Sequence, residues 1–281
     1  MRSFAIVTTC NADGYELYGR DMVSSVDRYF PRDIPVYLYA EGFHPKIASD
    51  RVFVRDLLVS CPELVDFKRR HRDNPAAHGL LGSPRLRVIV QWHKLRLKIR
   101  RIDWGLGYRW DAIRFSHKVF ALDHAARSCG TDVLFWMDAD IRLFADVSRA
   151  FLNELMPDQC IVSCLRRPKF SECSFVGLNL RHSGIWSFLN MFVNHYTTDA
   201  IFGEREHHDS FLFDIIRRRH EKLGHASYDI AEGIGKYCHH VFINSKLGIC
   251  MDHMKGTRKT HGGSKSKDLI SDREEAYWKP I

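Results

Sequence analysis

The 281 residues contain no Cys-x-x-Cys pair, no internal repeat and no low-complexity tract. Nor does any stretch approach the roughly 18 apolar residues that a membrane-spanning helix requires. The first absence excludes the usual zinc spacings. The eight cysteines (10, 61, 129, 160, 164, 173, 238 and 250) fall mostly inside apolar runs and read as reduced core thiols. The opening apolar run, residues 3–9, is too short for a signal-peptide core and has no cleavage pattern, so the expectation is a soluble, cytoplasmic protein. Glycine is also scarce where a phosphate loop would need it. The segment Thr8-Thr9-Cys10-Asn11-Ala12-Asp13-Gly14 holds a single glycine, which argues against a sugar-phosphate nucleotidyltransferase.

What is present is ordinary globular material, 45% hydrophobic and 27% charged, with a net charge of +8. Such a chain can bury roughly three quarters of its unfolded surface in one core. The positive balance favours anionic partners, whether nucleotide phosphates, nucleic acid or acidic headgroups, without choosing among them. Residues 3–9 and 35–40 read as buried strands with a helix over 17–29 between them, and residues 51–55 as a shorter third strand. Together they predict a βαβ unit and a mostly parallel sheet. Residues 68–85, basic and rich in glycine and proline, predict a long loop. Residues 86–101 fit both strand alternation and a helical stripe, and the helix is preferred. Helices are expected over 110–128, 147–156, 184–195 and 208–221, and strands over 160–164, 173–180, 238–244 and 248–253.

The chemistry concentrates where the apolar run 133–137 ends in Asp138-Ala139-Asp140. Side chains alternate along a strand, so both carboxylates should face one side, where a divalent cation such as Mn2+ or Mg2+ would offset their repulsion. The competing reading is a turn with an Asx cap. Upstream, Asp111, Arg114 and Lys118 share a helix face, either as a ligand-facing set or as a solvated charge stripe. Asp209 falls on the inner face of its helix at the first turn, as a cap or a site residue. Near the C-terminus, Lys255, Gly256, Arg258 and Lys259 form a candidate anion clamp, with His253 just before them as a candidate metal ligand.

In their order, these parts resemble the GT-A type of nucleotide-sugar-dependent glycosyltransferase with a DxD motif, over residues 3–264. The resemblance implies an α/β, Rossmann-like fold, a mostly parallel central sheet flanked by helices with a small additional antiparallel region. It implies one catalytic domain over 1–281, with a nucleotide-binding half (1–140), an acceptor-side half with the closing motif (141–264) and a tail (265–281). It further implies that Thr8, Thr9, Cys10 and Asp13 cradle the nucleoside and that Asp138, Asp140 and His253 hold Mn2+ or Mg2+. Arg114, Lys118, Asp138, Lys255, Gly256, Arg258 and Lys259 would then contact a nucleoside-diphosphate sugar. Asp209 is the candidate base if the reaction inverts the anomeric carbon. For the acceptor, the basic segments 68–72, 94–101 and 255–267 raise a nucleic acid, in one form a hydroxymethylated pyrimidine in DNA. A polysaccharide, a lipid-linked glycan or a protein are the alternatives, and a non-catalytic nucleic-acid-binding module is a further one.

Overall fold

The computed structural model describes residues 2–80, 87–91, 96–100, 104–234, 240–260 and 262–279, of which 87–91, 96–100 and 104–106 are described by their backbone alone. Its strands are β1 (Phe4–Asn11), β2 (Val36–Glu41), β3 (Val52–Asp56), β4 (Arg87–Gln91), β5 (Arg96–Arg100), β6 (Val133–Met137), β7 (Ile141–Leu143), β8 (Cys160–Leu165), β9 (Glu172–Asn179), β10 (Ala226–Asp229) and β11 (Met251–His253). Seven of them form one sheet in the order β10-β8-β9-β6-β1-β2-β3. All neighbours pair in parallel except β9, which runs antiparallel to β6 and β8. The expected architecture, a mostly parallel sheet flanked by helices with small antiparallel additions, is the one found.

Alternation along the central strands fills both faces. Ile6 and Phe135 point into one core layer with the helix Arg20–Tyr29, while Val7, Leu134 and Trp136 point into the other with the helices Ala112–Ser128, Ile185–Thr197 and Asp209–Lys222. After β3 the chain crosses to the far side of β1 to add β6. The strand order therefore reverses at β1, and in open α/β sheets the crevice beyond the carboxyl ends at such a point is where ligands bind.

Several local expectations change. Residues 86–101, expected as a helix, contain the antiparallel pair β4 and β5, so the charge alternation was a strand signal. The basic run starting at Lys68 is the last turn of the helix Pro62–Arg70, where cations complement the helix dipole, and the expected loop begins only afterwards. Within 238–244, residues 240–244 carry the short helix Val241–Asn244 instead of a strand, and the remainder lies outside the described residues. The described cysteines are all free, and all but Cys129 are buried; Cys238 lies outside the described residues. Among the described residues, no helix is long and apolar enough to cross a membrane.

Candidate metal and nucleotide site

The site begins where β6 ends. Met137 is fully buried, and the next residues leave the sheet in a turn closed by Ile141 N–H donating to the Asp138 carbonyl at 3.0 Å. The two carboxylates therefore converge through a turn and not through strand alternation. The chain then enters β7, which pairs antiparallel with β11 so that Ile141 stands opposite His253. That pairing carries a residue more than a hundred positions away to the acidic tip, and Met254 N–H donates to the Asp140 carbonyl at 2.9 Å. One ligand atom from each of Asp138, Asp140 and His253 lies within 4.8 Å of the others.

The electrostatics of the three differ. Oδ1 of Asp140 is 3.2 Å from Nε2 of His253 and its Oδ2 is 2.9 Å from Nζ of Lys259. Burial works against the Asp140 charge, but these two partners outweigh it and hold the carboxyl well below its usual range. Burial likewise opposes charge on His253, yet Asp140 and Glu172 push its pKa up to about 10. Asp138 goes the other way. Its side chain is 34% exposed to the cavity, but protein surrounds it closely enough that burial raises its pKa, against the pull of Lys118. Its Oδ1 accepts a 2.6 Å hydrogen bond from the Trp136 indole.

Lys118 projects from the helix Ala112–Ser128, capped by Asp111, whose carboxylate accepts from Arg114 N–H at 3.0 Å. Its Nζ lies 2.8 Å from Asp209 and 3.4 Å from Asp138, over the Trp136 ring, and donates to the Cys173 carbonyl. Burial opposes ionisation of Asp209, and Lys118 overcomes it, so the carboxyl titrates below its ordinary value. Lys255 Nζ reaches Glu172 at 3.1 Å, and Lys259 lies over the Tyr18 ring at 4.5 Å. Gly256 follows at φ +65, in the left-handed region that glycine enters without strain.

These groups surround one cavity of about 1310 Å³. Thr9, Cys10, Arg114, Lys118, Asp138, Asp140, Asp209, His253, Lys255, Gly256 and Lys259 all line it. Cys10 offers a neutral wall, because burial, with Glu41 nearby, pushes its thiol up to about 12. Thr8, Asp13 and Arg258 lie off the lining: Thr8 is fully buried, Asp13 is exposed, and Arg258 is tied to Asp268 at 2.6 Å. Sequence reasoning passed over Glu172, Arg167 and the Glu41 cluster. Glu41 ends β2 and gathers His117 and Lys68, each at 3.1 Å. At Glu172 the sequence offers only an acid standing directly ahead of the apolar run 173–180.

Two carboxylates and an imidazole at this spacing can coordinate a divalent cation. No protein-family model matches the chain, and no curated protein matches it. Among solved structures it is similar to mouse xyloside xylosyltransferase 1, at 11% identity over 81% of this chain and 84% of that one, TM-score 0.45. It is also similar to the glycosyltransferase GlyE of Streptococcus pneumoniae TIGR4 (11%, 82% and 46%, TM-score 0.42) and to the bifunctional WbbM (8%, 76% and 37%, TM-score 0.44). The match spans less than half of the latter two chains. Overlap at this level leaves donor, acceptor and reaction to the geometry of the chain itself.

Proposed function

We propose that the chain is a metal-dependent glycosyltransferase of the GT-A type, moving a sugar from a nucleoside-diphosphate sugar to an acceptor hydroxyl. The observation that carries this reading is the meeting of Asp138, Asp140 and His253 ligand atoms within 4.8 Å, beside Lys255 and Lys259, at the switch point of the sheet. Asp138, Asp140 and His253 would hold Mn2+ or Mg2+, which when bound would supply positive charge to the donor diphosphate. Lys259 and Lys255, with Arg114 also lining the cavity, would neutralise charge developing on the leaving diphosphate. Thr9 and Cys10, at the carboxyl end of β1, would face the nucleoside. Asp209, held ionised by Lys118, would accept a hydrogen bond from the acceptor hydroxyl, as base in an inverting reaction or as an orienting group in a retaining one.

In the first basic segment, 68–72, each Lys and Arg has a carboxylate beside it: Lys68 pairs with Glu41, Arg69 with Asp66, Arg70 with Asp199 and Arg72 with Asp73. A hydroxymethylated pyrimidine in DNA draws no support from that segment, and residues 94, 95 and 101 of the second segment (94–101) lie outside the described residues. DNA binding that weakens steeply with salt would favour that acceptor over a glycan.

Thermal shift with a panel of nucleotides and Mn2+ tests the reading. Mn2+ alone is expected to stabilise the chain modestly, a nucleoside diphosphate and Mn2+ together by more than the sum of the two separately, and the joint effect is expected to vanish in Asp140→Asn. Retention of the joint effect in that variant would remove Asp140 from the site.

A further inference from the structure

Glu172, the first residue of β9, is 3% exposed and draws three basic side chains to one carboxylate. His253 Nδ1 is 3.2 Å from Oε1, Lys255 Nζ is 3.1 Å from Oε2, and Arg167 Nη1 is 3.2 Å from Oε2. The Ser174 hydroxyl completes the surroundings at 3.4 Å. The three cations are not equivalent. The side chains of Lys255 and Arg167 are 47% and 28% exposed, so water can replace the carboxylate for them. His253 is 4% exposed and its ring packs against Phe242, with centroids 5.4 Å apart. No solvent reaches Nδ1, and Glu172 is the acidic group that faces it.

An imidazole has two nitrogens, and in the neutral ring only one carries the proton. Nε2 of His253 points at Asp140, into the candidate ion site. Nδ1 points at an acceptor-only carboxylate, and the Nδ1 contact with Glu172 is an ion-pair approach more than a well-directed hydrogen bond. Its effect is one of charge: a negative oxygen at this distance stabilises a proton on Nδ1, which leaves the electron pair on Nε2.

Building on the metal site proposed above, we infer that Glu172 is the positioning residue of that site. It keeps the His253 proton on Nδ1, turns Nε2 into the ion-facing donor, and holds Lys255 and Arg167 at the cavity wall. Carboxylates placed this way behind a ligating imidazole tune metal affinity by about 10- to 100-fold.

The test is a Mn2+ titration of the full chain, read from the electron paramagnetic resonance of unbound Mn2+, comparing wild type, Glu172→Gln and Asp140→Asn without nucleotide. Glu172→Gln keeps the side-chain size and removes the charge, and is expected to weaken Mn2+ binding tenfold or more. Wild-type affinity in a folded Glu172→Gln chain, alongside loss in Asp140→Asn, overturns the inference and leaves the metal site standing. A wild-type chain that binds no Mn2+ overturns both. Should Glu172→Gln fail to fold, long-range 1H–15N spectra of the wild-type imidazoles with Mg2+ decide the matter. With Mg2+ saturating, the inference requires His253 to keep its proton on Nδ1 and to have none on Nε2, and a ring that keeps its proton on Nε2 and none on Nδ1 under those conditions overturns it.

Discussion

Lys118 shows how strongly single side chains are coupled in this cavity. It is buried between Asp138 and Asp209, and its own charge is favoured because these two carboxylates outweigh the cost of burial. Removing it leaves two desolvated carboxylates with no shared cation. Lys118→Met is therefore expected to destabilise the chain by about 3–5 kcal/mol, read from urea unfolding without metal. Asp209→Asn separates chemistry from binding. The joint stabilisation by Mn2+ and a nucleoside diphosphate should persist, while sugar transfer, followed by acceptor mass, falls about 100-fold or more if Asp209 is the base. At this scale the sequence was informative where chemistry is concentrated in a few letters. Asp138 and Asp140 stand out after an apolar run, and His253 before a cationic glycine turn. Glu172 did not stand out, because one acid ahead of an apolar stretch resembles any strand boundary until the fold brings His253 against it.

The element that assembles the site is the two-stranded ladder of β7 and β11. Three-residue strands are too short for a period-2 pattern to register, so their pairing could not be read from the chain, whereas the longer runs of β1, β2 and β6 could. The direction of β9 was equally hidden, since a strand buried on both faces looks alike in either orientation. The ladder is braced from behind by Tyr277 and Trp278. Tyr277 stacks on Phe144 with ring centroids 4.0 Å apart and donates to Asp252 at 2.9 Å, while the Trp278 indole donates to the Gly248 carbonyl at 2.8 Å. Trp278 is 4% exposed. Trp278→Ala is expected to cost about 3–5 kcal/mol in chemical denaturation through the cavity it leaves. It should also weaken Mn2+ binding, because β11 carries His253.

Across the whole molecule, the net charge of +8 is a poor guide to a binding face, because many cations are consumed by internal carboxylates. The same pairing makes the fold sensitive to acid. At the far wall of the cavity, burial opposes the charge of Glu41, but hydrogen bonding and attraction from His117 and Lys68 bring its pKa down from an ordinary 4.5 to about 2. A folded-state value below the unfolded one means the native chain binds fewer protons, so protonation favours unfolding. The stability Glu41 contributes is thus complete above about pH 4.5 and is lost as pH falls toward 2. Glu41→Gln removes this group's titration while leaving the other carboxylates in place. Urea midpoints measured from pH 6 down to about pH 2.5 should fall more steeply for wild type than for the variant, with the two curves converging at the acid end. Parallel curves over that range would mean that Lys68 and His117 do not hold Glu41 ionised in solution.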